Sequence, residues 1–256
     1  MKAVILAAGY ATRLYPLTLT VAKPLLPLAE RPMLDYLLDR IREVDDVDTV
    51  HVVTNHKFAE PFARWARAHD GVVVHDDGTA SEDDRLGAIG DIRFVVDAAN
   101  LDGNDLLVIA GDNLFDYSLA ECIDWWRGKG EASAVVLYDV GDLELVKKYS
   151  SVELDRDGRL TAFTEKPEQP TSTLVATAAY LYQREHVPLL RHYLDEGNAP
   201  DQPGRFVAWL VPRAPVYGYV AGGDWRDIGD AGQLLEADNH LRAAAGLPLR
   251  DSYSLG

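Results

Sequence analysis

"KAVILAAGYATRL", residues 2–14, runs a short stretch of branched and small apolar residues straight into a glycine and then an arginine. The opening "KAVIL" has the composition of a buried strand. It is too short to cross a bilayer and continues into Arg13, so it reads as a first strand rather than a leader segment. Gly9 follows at once, flanked by Ala7, Ala8 and Ala11, which lets a ligand approach the backbone and leaves N–H groups for phosphate. A lone glycine in this place is more often a simple turn. The pattern is not a P-loop, because no Gly-Lys-Ser/Thr follows. It is not the dinucleotide fingerprint either, because the second and third glycines are missing.

Charge makes this segment more informative. The chain of 256 residues carries 41 acids against 25 Lys and Arg, a formal net charge of −16. That balance argues against nucleic acid or anionic membranes as partners, since both need basic surface. Residues 1–29 nevertheless contain Lys2, Arg13 and Lys23 and no Asp or Glu. The chain's average acid density would put about four or five there. An acid-free, cationic stretch on an acidic protein points to a bound anion. The single cysteine, Cys122, allows no disulfide within these residues and no thiolate-rich metal site, so a reducing, cytoplasmic setting is expected.

Beyond the first strand, short apolar runs alternate with longer amphipathic ones. "PMLDYLLDRIREV" (32–44) places Leu34, Leu37, Leu38 and Ile41 on one helical face, with Pro32 acceptable in the first turn. "TVHVVT" (49–54), "VVVH" (72–75), "DLLVIAGD" (105–112) and "SAVVLYDV" (133–140) read as strands. "AEPFARWARAH" (59–69) and "SLAECIDWWRG" (118–128), the latter capped by Ser118, read as helices. This repetition predicts an α/β protein with a Rossmann-like, doubly wound, mainly parallel sheet. Residues from about 141 look different. Two strands flank an Asp157-Gly158 turn within 150–167, a strand follows at 174–182, a helix at 186–195, a strand at 214–220 and a closing helix at 231–244. The polar loop 76–87 reads as mobile, and the acids after His75 as solvated. We therefore expect one domain over 1–256, with a substrate-facing subregion built from the strands beyond about 140.

Ligands of open parallel sheets collect at the carboxyl ends of strands. Three candidate stretches follow predicted strands: residues 9–23, the Gly111-Asp112-Asn113 turn, and Glu165-Lys166-Pro167. They are expected to share one edge.

Four motifs in order, "LAAGYATRLYPLT…AKPLLPL…RPM", "VIAGDNLF", "EKP" and "GDWRDIGD", resemble the sugar-1-phosphate nucleotidylyltransferases, the NDP-sugar pyrophosphorylases, across nearly the whole chain. "GDNLF" and "TEKPEQPTSTLVATAAYLY" lean toward glucose-1-phosphate thymidylyltransferases. The resemblance implies a nucleotide-diphospho-sugar transferase fold, with a nucleotide-binding part to about 140, a sugar-binding part beyond it, and Arg13 and Lys23 on the triphosphate. It implies Leu6, Ala8 and Gly9 in the nucleotide pocket, with Gly87 of "LGAIGDI" (86–92) in the base-reading region. Asp112 and Asp227 would hold Mg²⁺, Glu165 would reach the sugar and Lys166 its phosphate. The expected partners are an NTP and a sugar 1-phosphate, dTTP or UTP with glucose 1-phosphate being favoured; a homo-oligomer is compatible.

The chemistry asks for this inventory. A sugar phosphate whose second pKa is about 6, as in phosphoserine, is ionised near neutrality and needs no general base. The obstacle is bringing two anions together in line, which calls for positioning and cations. Arg13 suits bidentate phosphate contact and Lys23 supplies a point charge. Blander readings stand beside this one: Asp112 capping a turn, Asp227 pairing with Arg226 or capping a helix, Lys166 as an exposed lysine, Trp125 and Trp126 as packing. Trp225 could wall a sugar pocket. A catalytically silent relative, another NTP or a non-sugar phosphate are the alternatives. A metal-dependent glycosyltransferase would call for an Asp-x-Asp after the central strand, and the two such patterns present, at 46–48 and 155–157, look like turns.

Overall fold

Strand β1 (Lys2–Leu6) lies inside a seven-stranded sheet, as its uninterrupted apolar run requires. The computed structural model describes residues 1–255. The other strands are β2 (Thr49–Thr54), β3 (Val72–Asp76), β4 (Leu106–Ala110), β5 (Ser133–Asp139), β6 (Leu174–Tyr182) and β7 (Val216–Val220), in the order β7-β5-β6-β4-β1-β2-β3. β1 runs parallel to β2 and β4, β2 to β3, and β5 to β7. β6 is antiparallel to both its neighbours.

The strands alternate sides, and helices cover both. Ala3 and Ile5 face a core built with α1 (Met33–Arg42), α2 (Ala59–Ala66) and α4 (Leu119–Arg127). Val4 faces the opposite core with α3 (Ala88–Ala99), α5 (Leu189–Asp195) and α6 (Pro203–Leu210). This is the expected doubly wound arrangement. The Ser118 hydroxyl accepts from the Glu121 N–H, as the cap reading required. Helices α3 and α6 were not anticipated. Buried positions crowd α3 on several sides, Ile89, Asp91, Ile92, Arg93, Val95 and Val96 among them, so it lacks a clean polar face.

A third apolar cluster does the positioning. Leu14, Leu26 and Leu28 of the N-terminal segment pack with Met33, Leu114, Ile228 and with Leu234 and Ala237 of the closing helix α7 (Ala231–Ala244). Asp238 of α7, fully buried, accepts from the Ala29 N–H at 2.7 Å, and the Tyr253 hydroxyl donates to the Pro27 carbonyl at 2.7 Å. The last quarter of the chain thus braces the loop that follows its first strand.

Two small ribbons complete the frame. Ser150–Leu154 and Leu160–Glu165 form the hairpin predicted around Asp157-Gly158. Asn113–Phe115 pairs antiparallel with Trp225–Asp227, so that Asp227 stands opposite Asn113. Among the described residues no helix is long and apolar enough to cross a membrane.

Candidate active site

The parallel strands β1 and β4 deliver two of the three candidate stretches to one edge. Gly111 closes the joint: its N–H donates to the Leu6 carbonyl at 2.8 Å. A Cβ there would lie 3.0 Å from that carbonyl oxygen and 3.3 Å from Pro24. A side chain there would crowd both loops, and glycine lets them meet without strain. The third stretch arrives by another route: Glu165 ends a strand of the predicted hairpin, which forms a sheet of its own. The hairpin hangs over the edge from outside.

Lys23, 8% exposed, sends its ammonium to Asp112 Oδ2 at 2.6 Å. Asp227 joins them through the ribbon register. Burial raises its carboxyl above the ordinary carboxylate value and the charge of Asp112 adds to this, while Lys23 and Arg13 oppose it. Asp227 thus stands near enough to feel the charge of Asp112 as well as those of Lys23 and Arg13. The Arg13 guanidinium lies over Gly229, its nitrogens 3.5 and 3.7 Å from where a Cβ would stand. Asp227 does not pair with Arg226, which instead binds Asp224 and Glu236. Asp230, not Asp227, caps α7. Arg13, Lys23, Asp112 and Asp227, from three of the four motifs, therefore come together.

Leu6, Ala8 and Gly9, which the resemblance implies for the nucleotide, stand at and just after the end of β1. The Leu6 carbonyl is committed to Gly111, and the Ala8 carbonyl accepts from Asn55 Nδ2 at 2.8 Å. Gly9 is exposed, with nothing within 4 Å of a Cβ built on it. Ala11 takes a left-handed φ of 48°, and its carbonyl accepts from the Thr18 hydroxyl at 2.8 Å. Gly87 caps α3 with a φ of 79°; a Cβ there would come within 2.8 Å of the Pro200 backbone. Packing of the 198–203 loop alone accounts for a glycine at that position. Nearby, Asp77 Oδ2 and Asp91 Oδ1 are buried without a donor. Burial, followed by the charge and hydrogen bond of Asp77, pushes the Asp91 carboxyl up to about 8, so the two carboxyls share a proton. The reading of the acids after His75 as solvated holds for Asp76 and fails for Asp77, because the 77–79 turn folds inward onto α3.

Beside Asp112 and Asp227 opens a cavity of about 170 Å³ whose walls include Lys148, Tyr149, Glu165, Gln202 and Trp225. Trp225 is fixed by its indole N–H to Asn113 Oδ1 at 3.0 Å and by the edge of Tyr149, ring centroids 5.4 Å apart. It walls the pocket, one of the two readings the sequence allowed. Burial raises the Glu165 carboxyl above its ordinary value, against the charges of Lys166 and Arg205. Glu165 presses on the first turn of α6, where a Cβ on Gly204 would meet its Oε2 at 2.2 Å. Lys166 is exposed, has a left-handed φ of 46°, and donates its N–H to the Tyr149 carbonyl at 2.7 Å. Sequence reasoning missed Lys148 and the Gln202 loop; only the Lys147-Lys148 pair in an acidic neighbourhood could have signalled the first.

A metal ion can be weighed against these residues. Asp112 and Asp227 offer two mutually repelling carboxylates, and among the described residues no cluster of three or more His, Cys, Asp or Glu suits a metal. Mg²⁺ commonly takes one or two carboxylates, the rest being phosphate oxygens and water, so the pair fits.

The profile of one family, described as Nucleotidyl transferase, matches residues 2–244. The chain belongs to that family. A UTP–glucose-1-phosphate uridylyltransferase of Synechocystis is 30% identical over 243 residues, covering 90% of this chain and 60% of the relative. A mannose-1-phosphate guanylyltransferase of Mycobacterium tuberculosis is 32% identical over 234 residues, covering 90% of this chain and 61% of the relative. The chain thus spans only part of the length of these relatives. A Bacillus anthracis structure assigned as a glucose-1-phosphate thymidylyltransferase, solved with sucrose, superposes with a TM-score of 0.80 at 22% identity. It matches 100% of this chain and 97% of that one. A UDP-glucose pyrophosphorylase bound to UDP-glucose gives 0.78 at 20% identity, over 95% and 98% of the two chains. These likenesses show the nucleotide-diphospho-sugar transferase fold for this chain.

Proposed function

We propose that this chain transfers a nucleotidyl group from an NTP to a sugar 1-phosphate, releasing pyrophosphate, with dTTP or UTP and glucose 1-phosphate as the pair to try first. The observation that carries this is the meeting of Arg13, Lys23, Asp112 and Asp227 at one edge of the sheet, beside the pocket holding Glu165 and Trp225. A phosphate oxygen of the acceptor forms a bond to the α-phosphorus, and the bond from that phosphorus to the bridging oxygen breaks. No proton needs to be removed from an acceptor already ionised. Arg13 and Lys23 bind and orient the triphosphate, offsetting its charge where it builds on the departing oxygens. Glu165 and Lys166 seat the sugar and its phosphate, and Leu6, Ala8, Gly9 and Gly87 border the nucleoside. Asp112 and Asp227 would hold Mg²⁺, which when bound neutralises charge between the two anionic reactants. The uridylyltransferase and guanylyltransferase names of its relatives support the reaction class and leave the base to experiment. We place the reaction in the cytoplasm, and the fold is compatible with a homo-oligomer.

The test is a matrix of NTPs against sugar 1-phosphates, with pyrophosphate detected as phosphate through pyrophosphatase, with and without Mg²⁺. Release that requires both substrates and the metal is the expected result. A blank matrix, with the protein folded, would favour a silent relative.

A further inference from the structure

Ala178 holds a backbone conformation that its side chain disfavours. Its φ of 55° is left-handed, where a Cβ crowds the backbone. The cause is a break in β6: Leu174, Val175 and Ala176 pair with β5, pairing resumes at Tyr180, and residues 177–179 bulge between them. The bulge is pinned. Asn113 Nδ2 donates to the Thr177 carbonyl at 2.5 Å, and the Thr177 hydroxyl donates to the Val136 carbonyl at 3.1 Å. The Ala176 N–H donates to Ser150 Oγ at 2.9 Å. Residue 178 cannot relax without breaking these bonds.

Strain of this kind persists where the surroundings over-determine it, often at functional positions. Ala178 lines the pocket between Ala176 and Tyr180, and Asn113 ties its neighbour Thr177 to the residue after Asp112. Asp112 and Ala178 line the same cavity of about 170 Å³, so an acceptor seated there with its phosphate toward Asp112 meets the Ala178 wall as well.

We propose that Ala178 is a size filter for the acceptor, admitting hexose 1-phosphates with a free 2-hydroxyl and rejecting their bulkier 2-acetamido analogues. This rests on the pocket being the acceptor site of the proposed transfer. The strained alanine narrows the pocket by one methyl that glycine would omit, and a pocket short of one methyl's room discriminates by about 10-fold or more.

The test is Ala178→Gly, a change the left-handed backbone accepts readily. kcat/KM for glucose 1-phosphate and for its 2-acetamido-2-deoxy analogue is measured with the NTP found in the matrix. Calorimetric titration of both sugar phosphates reads the same selectivity without turnover. The expected result is a rise of about 10-fold or more in the acetamido-to-hydroxyl ratio by both methods, with the KM for NTP unchanged. Equal use of both acceptors by the unaltered protein, or a ratio unmoved in the variant, overturns the filter. Lack of transfer alongside a shifted binding ratio overturns the proposed activity instead and leaves the filter standing.

Discussion

The ammonium of Lys23 lies 2.6 Å from Asp112 Oδ2, although the two residues stand 89 positions apart in the chain. Each is set by a strand end, Lys23 by the loop after β1 and Asp112 by the turn after β4, and the close joint at Gly111 brings those ends together. On the proposed function, the lysine would offset charge where two anions meet. Lys23→Met should lower pyrophosphate release by about 100-fold or more, given what a preorganised charged donor contributes. Turnover within about threefold of the unaltered protein would remove Lys23 from the triphosphate site.

Asp112→Asn keeps the shape of the side chain and removes its charge. Pyrophosphate release should fall below detection while cooperative thermal unfolding is retained. Near-normal turnover would take Asp112 out of the metal site.

Lys166→Ala separates the two substrates. The exposed lysine, held in a left-handed turn beside Glu165, is assigned to the acceptor phosphate. The acceptor KM should rise about tenfold, with the KM for NTP changing less than twofold, since one charged hydrogen bond contributes about 1.5–3 kcal/mol. Equal losses for both substrates would contradict that assignment.

Gly111→Ala tests the joint itself. The new methyl would stand 3.0 Å from a backbone carbonyl oxygen, and backbone in a central strand has little freedom to yield. Overpacking of this kind costs about 1–3 kcal/mol. The denaturant midpoint should fall accordingly and pyrophosphate release should fall with it. An unshifted midpoint would mean that the loops are free to part.

The Asp77–Asp91 pair predicts a pH dependence of stability. The Asp91 carboxyl is raised from 3.8 to about 8 by burial and by Asp77, so the folded state holds its proton more tightly than the unfolded chain does. Its contribution is full below about pH 4 and is lost progressively as pH rises through about 8. Asp91→Asn keeps an N–H donor toward Asp77 and cannot ionise. The variant should match the unaltered protein near pH 4 and exceed it increasingly toward pH 8, by on the order of a few kcal/mol. Thermal melts across that range check this; parallel curves for the two proteins would contradict a shared proton.

What was legible in the sequence had local causes. The apolar runs of β1 and β4, the face of α1, the Ser118 cap and the Asp157-Gly158 hairpin each follow from residues within a turn or two of one another. Arg13, Lys23, Asp112 and Asp227 were legible as residues because the charged loop and the four ordered motifs stand out from an acidic background. Helix α3 was not, because its buried positions, two of them charged, leave no polar face to mark its period.

The sequence by itself determined the alternation of strands and helices, the acid-free loop after the first strand and the kinds of side chain available to grip phosphate. Only the tertiary structure decided that β6 runs antiparallel, that the hairpin carrying Glu165 stands apart from the main sheet, and that Ala178 is forced into a left-handed bulge beside the pocket. The reason is physical. Periodicity and turn chemistry act over a few residues, whereas register across a sheet and the meeting of residues 89 apart depend on which distant apolar faces bury one another.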